Sequence, residues 1–514
     1  MSGGPQTDPF PDGLVLELAD EQASRVLAED VAILLRTGDM VALSGDLGAG
    51  KTTLARAILR YLARDEAMEV PSPTYTLVQA YETRPKATHF DLYRIEGEAE
   101  LAELGLEEAA ETGVVLVEWP ERSDVVAAEA NLTLHLEVAP GGGRRAVVSA
   151  AAETSLRLSR SLGIRRFLQG AGHARARRLP FRGDASARRY EHVEAPDGPL
   201  VLMDAPRLAR GPVLRDGRTY AEIAHIAQDV APFVALAKAL AAKGFSVPQI
   251  HAVDPDAGLV LLEDLGDEGI LDADGRPVPE RYEAAAGCVA LLHAEPFEPE
   301  IGTKDRPYRV PDFDRDAMAV EVSLMVDWFL PRLTGRPATR EERERFDAVW
   351  DGLFDSIEGA ERRLVLRDFH SPNILWRAER KDCGRVGLLD FQDAMIGPSA
   401  YDLASLAQDA RADVPSDLEQ RLLAAYREAR EGEAGFDSAS FEHAYRVMAA
   451  QRATKILGIF VRLHERDGKP QYLRHIPRIQ AYLKRTLVHP DLSALMELYE
   501  DWGVLDACLG QGRR

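Results

Sequence analysis

Cysteine is scarce in this chain. Cys288, Cys383 and Cys508 are the only three among 514 residues, and no two form a C-x-x-C. Neither a disulfide framework nor a cysteine zinc site can be built from them, so a reducing, cytoplasmic setting is expected. Aromatic residues reach only 7%, and alanine supplies much of the 46% hydrophobic content, which favours helix-rich packing. Basic charge is in deficit: 62 Lys and Arg stand against 84 Asp and Glu, for a net charge of −22. That balance argues against a protein that coats nucleic acid electrostatically, because phosphate binding needs a basic surface. A local basic site stays open. No apolar run approaches the roughly 18 residues needed to cross a bilayer. The opening residues, MSGGPQTDPFPDG, lack the basic-then-apolar pattern of a secretory leader. At about 150 residues per domain the length suggests roughly three structural units.

What is present divides near Leu156. From Leu14 to about Ala150, short apolar runs alternate with helical patterns: MVALS at 40–44 and GVVLVE at 113–118 read as buried strands, and 51–63 reads as a helix. Buried strands alternating with helices indicate a parallel sheet. Residues 157–189 are crowded with arginine and read mostly as a solvated helix and linker, the last arginines being candidates to face phosphate. Beyond Gly183 strands come first and helices follow, an α+β profile.

Residues 45–52 read GDLGAGKT, a G-x-x-x-x-G-K-T loop between a strand and a helix. Gly45, Asp46, Gly48, Ala49, Gly50, Lys51, Thr52 and Thr53 are therefore candidate phosphate-binding residues. Glycines let the backbone N–H groups turn inward, Lys51 can reach the terminal phosphates, and the Thr52 hydroxyl can ligate Mg²⁺. Catalysis also needs an acid for the metal and the attacking water. Asp91 in HFDLYR and Glu118 in VLVEWPE both end extended runs, where ligands of such sheets sit.

With GDLGAGKTT, SPTYTLV, HFDLYR and VEWPE in this order, and DEQASRVLAE before them, residues 14–150 closely resemble the TsaE-type ATPase subunit of the tRNA threonylcarbamoyladenosine machinery. The resemblance implies ATP binding and hydrolysis with Mg²⁺ held by Thr52 and Glu118. It also implies a nucleotide-sensing loop containing Ser72, Thr74 and Thr76, with Trp119 beside the site. The implied partners are the proteins that load the threonylcarbamoyl group onto adenosine 37 of tRNA, with tRNA itself met only indirectly.

A second constellation lies at 364–376, LVLRDFHSPNILW. Asp368 and Asn373 have the D-x-x-x-x-N spacing of kinase-like catalytic loops, in which the Asp takes the substrate hydroxyl proton and the Asn holds Mg²⁺. Seventeen residues after Asn373, Asp390 in LLDFQDA follows an apolar strand and is the candidate second metal ligand. His370 either contacts substrate or stabilises the loop; Asp393 either assists the metal or caps a turn; Asp402 is an N-cap or a brace for the loop. Glu263 and Leu265 fall where a kinase hinge would read adenine. Ser186, Arg188 and Arg189 in GDASARRY fall where a phosphate-covering loop would lie, though only one glycine is present. Met203 and Asp204 occupy the place of the usual third-strand lysine, leaving Arg188, Arg189 or Arg207 as possible substitutes, or a weaker nucleotide site.

Residues 183–410 resemble the aminoglycoside phosphotransferase superfamily. GDASARRY, LVLMDAP, FLPRLTG, LRDFHSPNILW and LLDFQDA together resemble its AmgK-type kinases of N-acetylmuramate and N-acetylglucosamine over roughly 160–500. The resemblance implies phosphorylation of an anomeric hydroxyl, with a sugar pocket near 321–333 and 440–490 whose polar groups include Trp328, Arg452, Lys455 and His464. An aminoglycoside or other small-alcohol kinase, and a non-catalytic kinase-fold binding module, are the alternatives; pocket charge and nucleotide binding separate them.

The expected fold is thus an α/β P-loop NTPase domain followed by an α+β bilobal protein-kinase-like domain. Its expected segments are a tail to residue 13, the P-loop domain at 14–156, an arginine-rich linker at 157–182, a sheet-containing lobe at 183–265, a helical lobe at 266–505 and a tail at 506–514. ATP and Mg²⁺ are the expected cofactors.

Overall fold

The apolar run at 40–44 becomes the middle of a seven-stranded sheet, because a strand without a polar face must be covered on both sides. The computed structural model describes residues 10, 13–95, 98–181, 188–303 and 306–509. Most of the N-terminal tail, residues 510–514 and Ser186 lie outside them. The described chain divides into two compact units, Met1–Asp204 and Ala205–Arg514. Among the described residues no helix is long and apolar enough to cross a membrane.

In the first unit the elements begin β1 (Leu14–Leu18), α1 (Glu21–Leu34), β2 (Met40–Gly45), α2 (Lys51–Ala63), β3 (Val78–Tyr81) and β4 (Ala87–Asp91). They continue α3 (Glu98–Glu103), α4 (Leu106–Thr112), β5 (Val114–Glu118), α5 (Asp124–Glu129), β6 (Leu132–Val138) and β7 (Arg144–Ala150). The sheet order is β1-β7-β6-β2-β5-β4-β3. The four middle strands, β6, β2, β5 and β4, run parallel, and the outer ones pair antiparallel. Every residue of β5 is buried. In register, Leu43 and Asp91 both lie opposite Glu118, so the carboxyl ends of three strands meet at one edge.

The arginine-rich stretch departs from the expectation of a solvated linker. Ala152–Gly170 forms one helix, α6, packed on α1, and the expected boundary near Leu156 falls inside the first unit. Arg165 and Arg178 are buried, at 8% and 0% exposure. Charges leave water only when paired. Here Asp30 takes both guanidinium groups, Glu29 takes Arg165, and Glu191 takes Arg178 at 2.7 and 2.9 Å. Three antiparallel strands follow, β8 (Arg177–Pro180), β9 (Arg189–Ala195) and β10 (Gly198–Asp204). In place of the expected lysine, Met203 and Asp204 are buried, and Asp204 is ion-paired with Arg160.

The second unit is mainly helical. Strands Ile250–Asp254 and Leu259–Glu263 pair antiparallel, as do Arg362–Val365 with Met395–Pro398 and Ile374–Trp376 with Val386–Leu388. The last of these pairs is nested between the strands of the one before it, and the two connecting loops hold Asp368 and Asp390. Its longest helix, Ser438–Glu465, is buried over most of its length. At Gly458 the Leu324 backbone approaches so closely that a Cβ would lie 2.4 Å from it.

Candidate active sites

The first site is built at the shared strand edge. Gly45, Gly48 and Gly50 carry φ of 128°, 80° and 109°, the left-handed region open to glycine. A Cβ on Gly45 would also lie 2.2 Å from the Leu136 carbonyl oxygen. Gly50 caps α2 without a side-chain acceptor, which leaves the first N–H groups of the helix for an anion. Lys51 folds back onto the loop. Its Nζ donates to the carbonyls of Gly45 at 2.7 Å and Asp46 at 3.0 Å, and lies 3.6 Å from the centre of the Trp119 ring. Burial lowers its pKa. Ala49 is buried beneath the loop, whereas Asp46 and Thr53 are exposed.

Thr52 Oγ1 donates to Glu118 Oε2 at 2.8 Å, and the ring Nε2 of His89 meets Glu118 Oε1 at 2.9 Å. Asp91 accepts from Thr74 Oγ1 at 2.8 Å, from Ser72 Oγ at 3.3 Å and from the Tyr93 N–H at 3.1 Å. A cavity of about 440 Å³ opens among Lys51, Thr52, Ser72, Asp91, Glu118 and Trp119. Thr76 is exposed and does not line it. Open N–H groups beside a lysine suit phosphate, and the hydroxyl–carboxylate pair is an oxygen donor set suited to Mg²⁺. The residues therefore fit a nucleoside triphosphate with its cation.

Sequence reasoning missed three residues here. His89 stands in HFDLYR, where its place on an apolar strand looks like packing, yet it is fully buried against Glu118. Tyr93 leans on Trp119 with ring centres 5.1 Å apart. Arg144 arrives from β7 and donates to the Ala49 carbonyl at 2.9 Å, with no local signal in the chain.

The second site is a loop pinned from below. Asp402, fully buried, accepts the backbone N–H groups of Leu366 at 2.7 Å and Arg367 at 2.9 Å. It is thus the brace rather than the N-cap, which is Ser399. Asn373 Nδ2 donates to the Asp368 carbonyl at 2.9 Å, which leaves Oδ1 as its donor atom toward a cation. The Leu389 N–H bonds the Asn373 carbonyl at 2.9 Å and so brings Asp390 beside the loop. Asp390 has φ 54°, and its Oδ1 accepts from Gln392 at 2.8 Å. Asp393 accepts the Ala227 N–H at 2.7 Å, which ties it to a segment 166 residues earlier rather than to its own turn. Asn and Asp oxygens suit a hard cation such as Mg²⁺, so the pair fits the role expected of it.

Beneath the loop lie three charges. Arg367, 3% exposed, is ion-paired with the fully buried Glu321, and Lys455 Nζ lies 2.7 Å from the same carboxylate. Burial pushes Lys455 down in pKa against the pull of Glu321, and Asp368 lies within its electrostatic reach. Burial likewise lowers the pKa of His370, whose Nδ1 is 4.0 Å from Asp409. Arg452 is also buried, while Trp328 and His464 are half-buried. In the hinge segment, Glu263 is ion-paired with Arg377 at 3.3 Å, and its N–H bonds the Gln249 carbonyl; Leu265 lies beside Gly387. In the first unit Arg189 is exposed opposite Asp204 in register, and Arg188 is half-buried.

Comparison with known proteins matches the two sites to two families, the second match beginning inside the first unit. The family profile described as threonylcarbamoyl adenosine biosynthesis protein TsaE matches residues 18–146, and that described as phosphotransferase enzyme family matches 178–440. An N-acetylmuramate/N-acetylglucosamine kinase of Caulobacter vibrioides is 33% identical over 346 residues, covering 65% of this chain and 94% of the relative. A kinase of the same description from Pseudomonas aeruginosa is 33% identical over 326 residues, covering 62% of this chain and 87% of its own. A tRNA threonylcarbamoyladenosine biosynthesis protein TsaE of Rickettsia felis is 35% identical over 144 residues, covering 28% of this chain and 84% of the relative.

Proposed function

We infer function from the premise that the chain belongs to two families, TsaE through its front part and the phosphotransferase enzyme family through the rest. It joins an ATPase that supports N6-threonylcarbamoyladenosine formation at tRNA position 37 to an amino-sugar kinase that acts on the anomeric hydroxyl of N-acetylmuramate or N-acetylglucosamine. The front domain acts with the partner proteins of the tRNA-modification machinery. The observation that carries the kinase reading is the clustering of Asp368, Asn373 and Asp390 on two adjoining loops, over a buried carboxylate that fixes the first of them.

When bound, Mg²⁺–ATP supplies the phosphoryl group and much of the charge neutralisation at each site. Asp368 accepts the proton of the sugar hydroxyl at a carboxylate oxygen and orients that hydroxyl for attack. Asn373 and Asp390 hold the cation, and Asp402 keeps the loop in one conformation by taking its backbone N–H groups. At the front site Lys51 and the N–H groups of the loop bind phosphate. Thr52 and Glu118 hold the cation, and Asp91, the second acid, is tied to the sensing loop by the hydroxyls of Ser72 and Thr74. Fixed groups of this kind act chiefly by positioning and electrostatics.

Phosphorus NMR of the full-length chain with ATP, Mg²⁺ and, separately, N-acetylmuramate, N-acetylglucosamine and kanamycin tests this reading. A sugar 1-phosphate is expected. Phosphorylated kanamycin alone would move the second site to the aminoglycoside kinases, and no product from any acceptor would point to a binding module.

A further inference from the structure

Directly before Asp368 the backbone takes an uncommon form. The Asp368 N–H bonds the Leu366 carbonyl, two residues earlier, at 2.8 Å and closes a three-residue turn centred on Arg367. Arg367 carries φ 69°. A γ-turn of this sign is rare and strained, and glycine, which has no Cβ, is the residue that accepts positive φ at little cost. An arginine there is unfavourable by local rules and persists only where its surroundings hold it.

Backbone and side chain of Arg367 are both held. Its N–H donates to Asp402 at 2.9 Å. Its side chain runs into the interior, 3% exposed, where the guanidinium donates to the Ala224 carbonyl at 2.9 Å and is ion-paired with the fully buried Glu321. Glu321 is itself fixed, with Lys455 Nζ 2.7 Å from one of its oxygens and Gln451 donating to the other at 2.9 Å. The clamp on the turn thus comes from helices Arg315–Val322 and Ser438–Glu465, well separated from it in sequence. On the far side, the Asp368 carbonyl accepts from the His370 N–H at 3.1 Å and from Asn373 Nδ2 at 2.9 Å. Asp368 sits between a strained turn and a hydrogen-bonded loop, and the turn sets the direction in which its side chain leaves the backbone.

We propose that Arg367 is a positioning residue of the second site: its buried guanidinium, clamped by Glu321 and the Ala224 carbonyl, holds the strained turn that aims the Asp368 carboxylate at the acceptor hydroxyl. This rests on the kinase reading above. An ion pair that served the fold alone would be indifferent to φ at residue 367. Loss of the guanidinium leaves Glu321 paired with Lys455, so the interior keeps a compensated charge while the turn loses its clamp. An unclamped non-glycine residue is disfavoured in the left-handed region by a factor of about 5–30 in population, whereas glycine is not. Alanine and glycine at this position lack the clamp alike and differ chiefly in that respect.

The test is steady-state kinetics of sugar phosphorylation by the full-length chain, for wild type, Arg367→Ala and Arg367→Gly, with folding checked by denaturant unfolding. Arg367→Ala should lower kcat at least about tenfold, because a displaced catalytic group costs rate, with KM for ATP within about twofold of wild type. Arg367→Gly should recover at least about threefold in kcat over Arg367→Ala and stay below wild type. If Arg367→Ala does not fold, Arg367→Gln and Arg367→Asn make the same comparison, because Asn tolerates positive φ, and the Asn variant should be the faster. A kcat for Arg367→Ala within about twofold of wild type, or a Gly or Asn variant no faster than its counterpart, would overturn the positioning role while leaving the kinase reading intact. Wild-type turnover of neither N-acetylmuramate nor N-acetylglucosamine would remove that reading and the positioning role together.

Discussion

The Lys455 ammonium lies 2.7 Å from the Glu321 carboxylate, and both are buried beneath the loop that carries Asp368. Arg367 is ion-paired with the same carboxylate, and Gln451 donates to it at 2.9 Å. Removing one member of such a set leaves uncompensated buried charge, which costs about 3–5 kcal/mol. Glu321→Gln should therefore lower the stability of the second unit by that order in denaturant unfolding. A change below about 1 kcal/mol would show that the three charges are solvated.

The same group sets an acid limit. Burial raises the pKa of Glu321, but Lys455 and Arg367 outweigh it and hold the carboxyl at about 2, below its ordinary 4.5. A depressed carboxyl pKa contributes stability that is fully present above about pH 4.5 and lost as pH falls from 4.5 through 2. His475, pushed from 6.5 to about 4, acts in the same direction from pH 6.5 downward. The stability advantage of wild type over Glu321→Gln should shrink between pH 4.5 and 2 in unfolding curves; a gap independent of pH would contradict the assignment.

Glu118→Gln replaces the carboxylate that takes the Thr52 hydroxyl and the His89 ring. ATP hydrolysis measured without sugar should fall at least about 100-fold, the scale of a lost acid–base or metal-holding group. Sugar phosphorylation should stay at the wild-type level.

Asp402→Ala should strip the loop of its support. Two buried N–H groups, those of Leu366 and Arg367, would lose their acceptor at about 1–3 kcal/mol each. The expected signature is a kcat for sugar phosphorylation at least about tenfold lower, because a displaced catalytic loop costs rate, with KM for ATP changed little. An unchanged kcat would mean that the loop holds its shape without Asp402.

The glycine loop and the Asp368–Asn373 spacing were legible in the sequence because their chemistry is local: a few consecutive residues dictate the turn and the offset. Strands Met40–Gly45 and Val114–Glu118 were legible for a similar reason, since burial on both faces writes an unbroken apolar run. Arg165 and Arg178 read as solvated because the Asp30 that takes both guanidinium groups stands 135 and 148 residues earlier, although Glu191, the second partner of Arg178, follows it by 13. Lys455 read only as one polar group among several, since its partner Glu321 lies on another helix.

In the function proposed for it, the chain carries two ATP-using sites with separate chemistry, and two variants test that directly. Lys51→Ala and Asp368→Asn, each checked for folding, should be assayed for ATP hydrolysis without sugar and for sugar 1-phosphate by phosphorus NMR. Lys51→Ala should abolish the first and keep the second, and Asp368→Asn should do the reverse. A folded variant that loses both activities, or sugar phosphate that persists in Asp368→Asn, would contradict it.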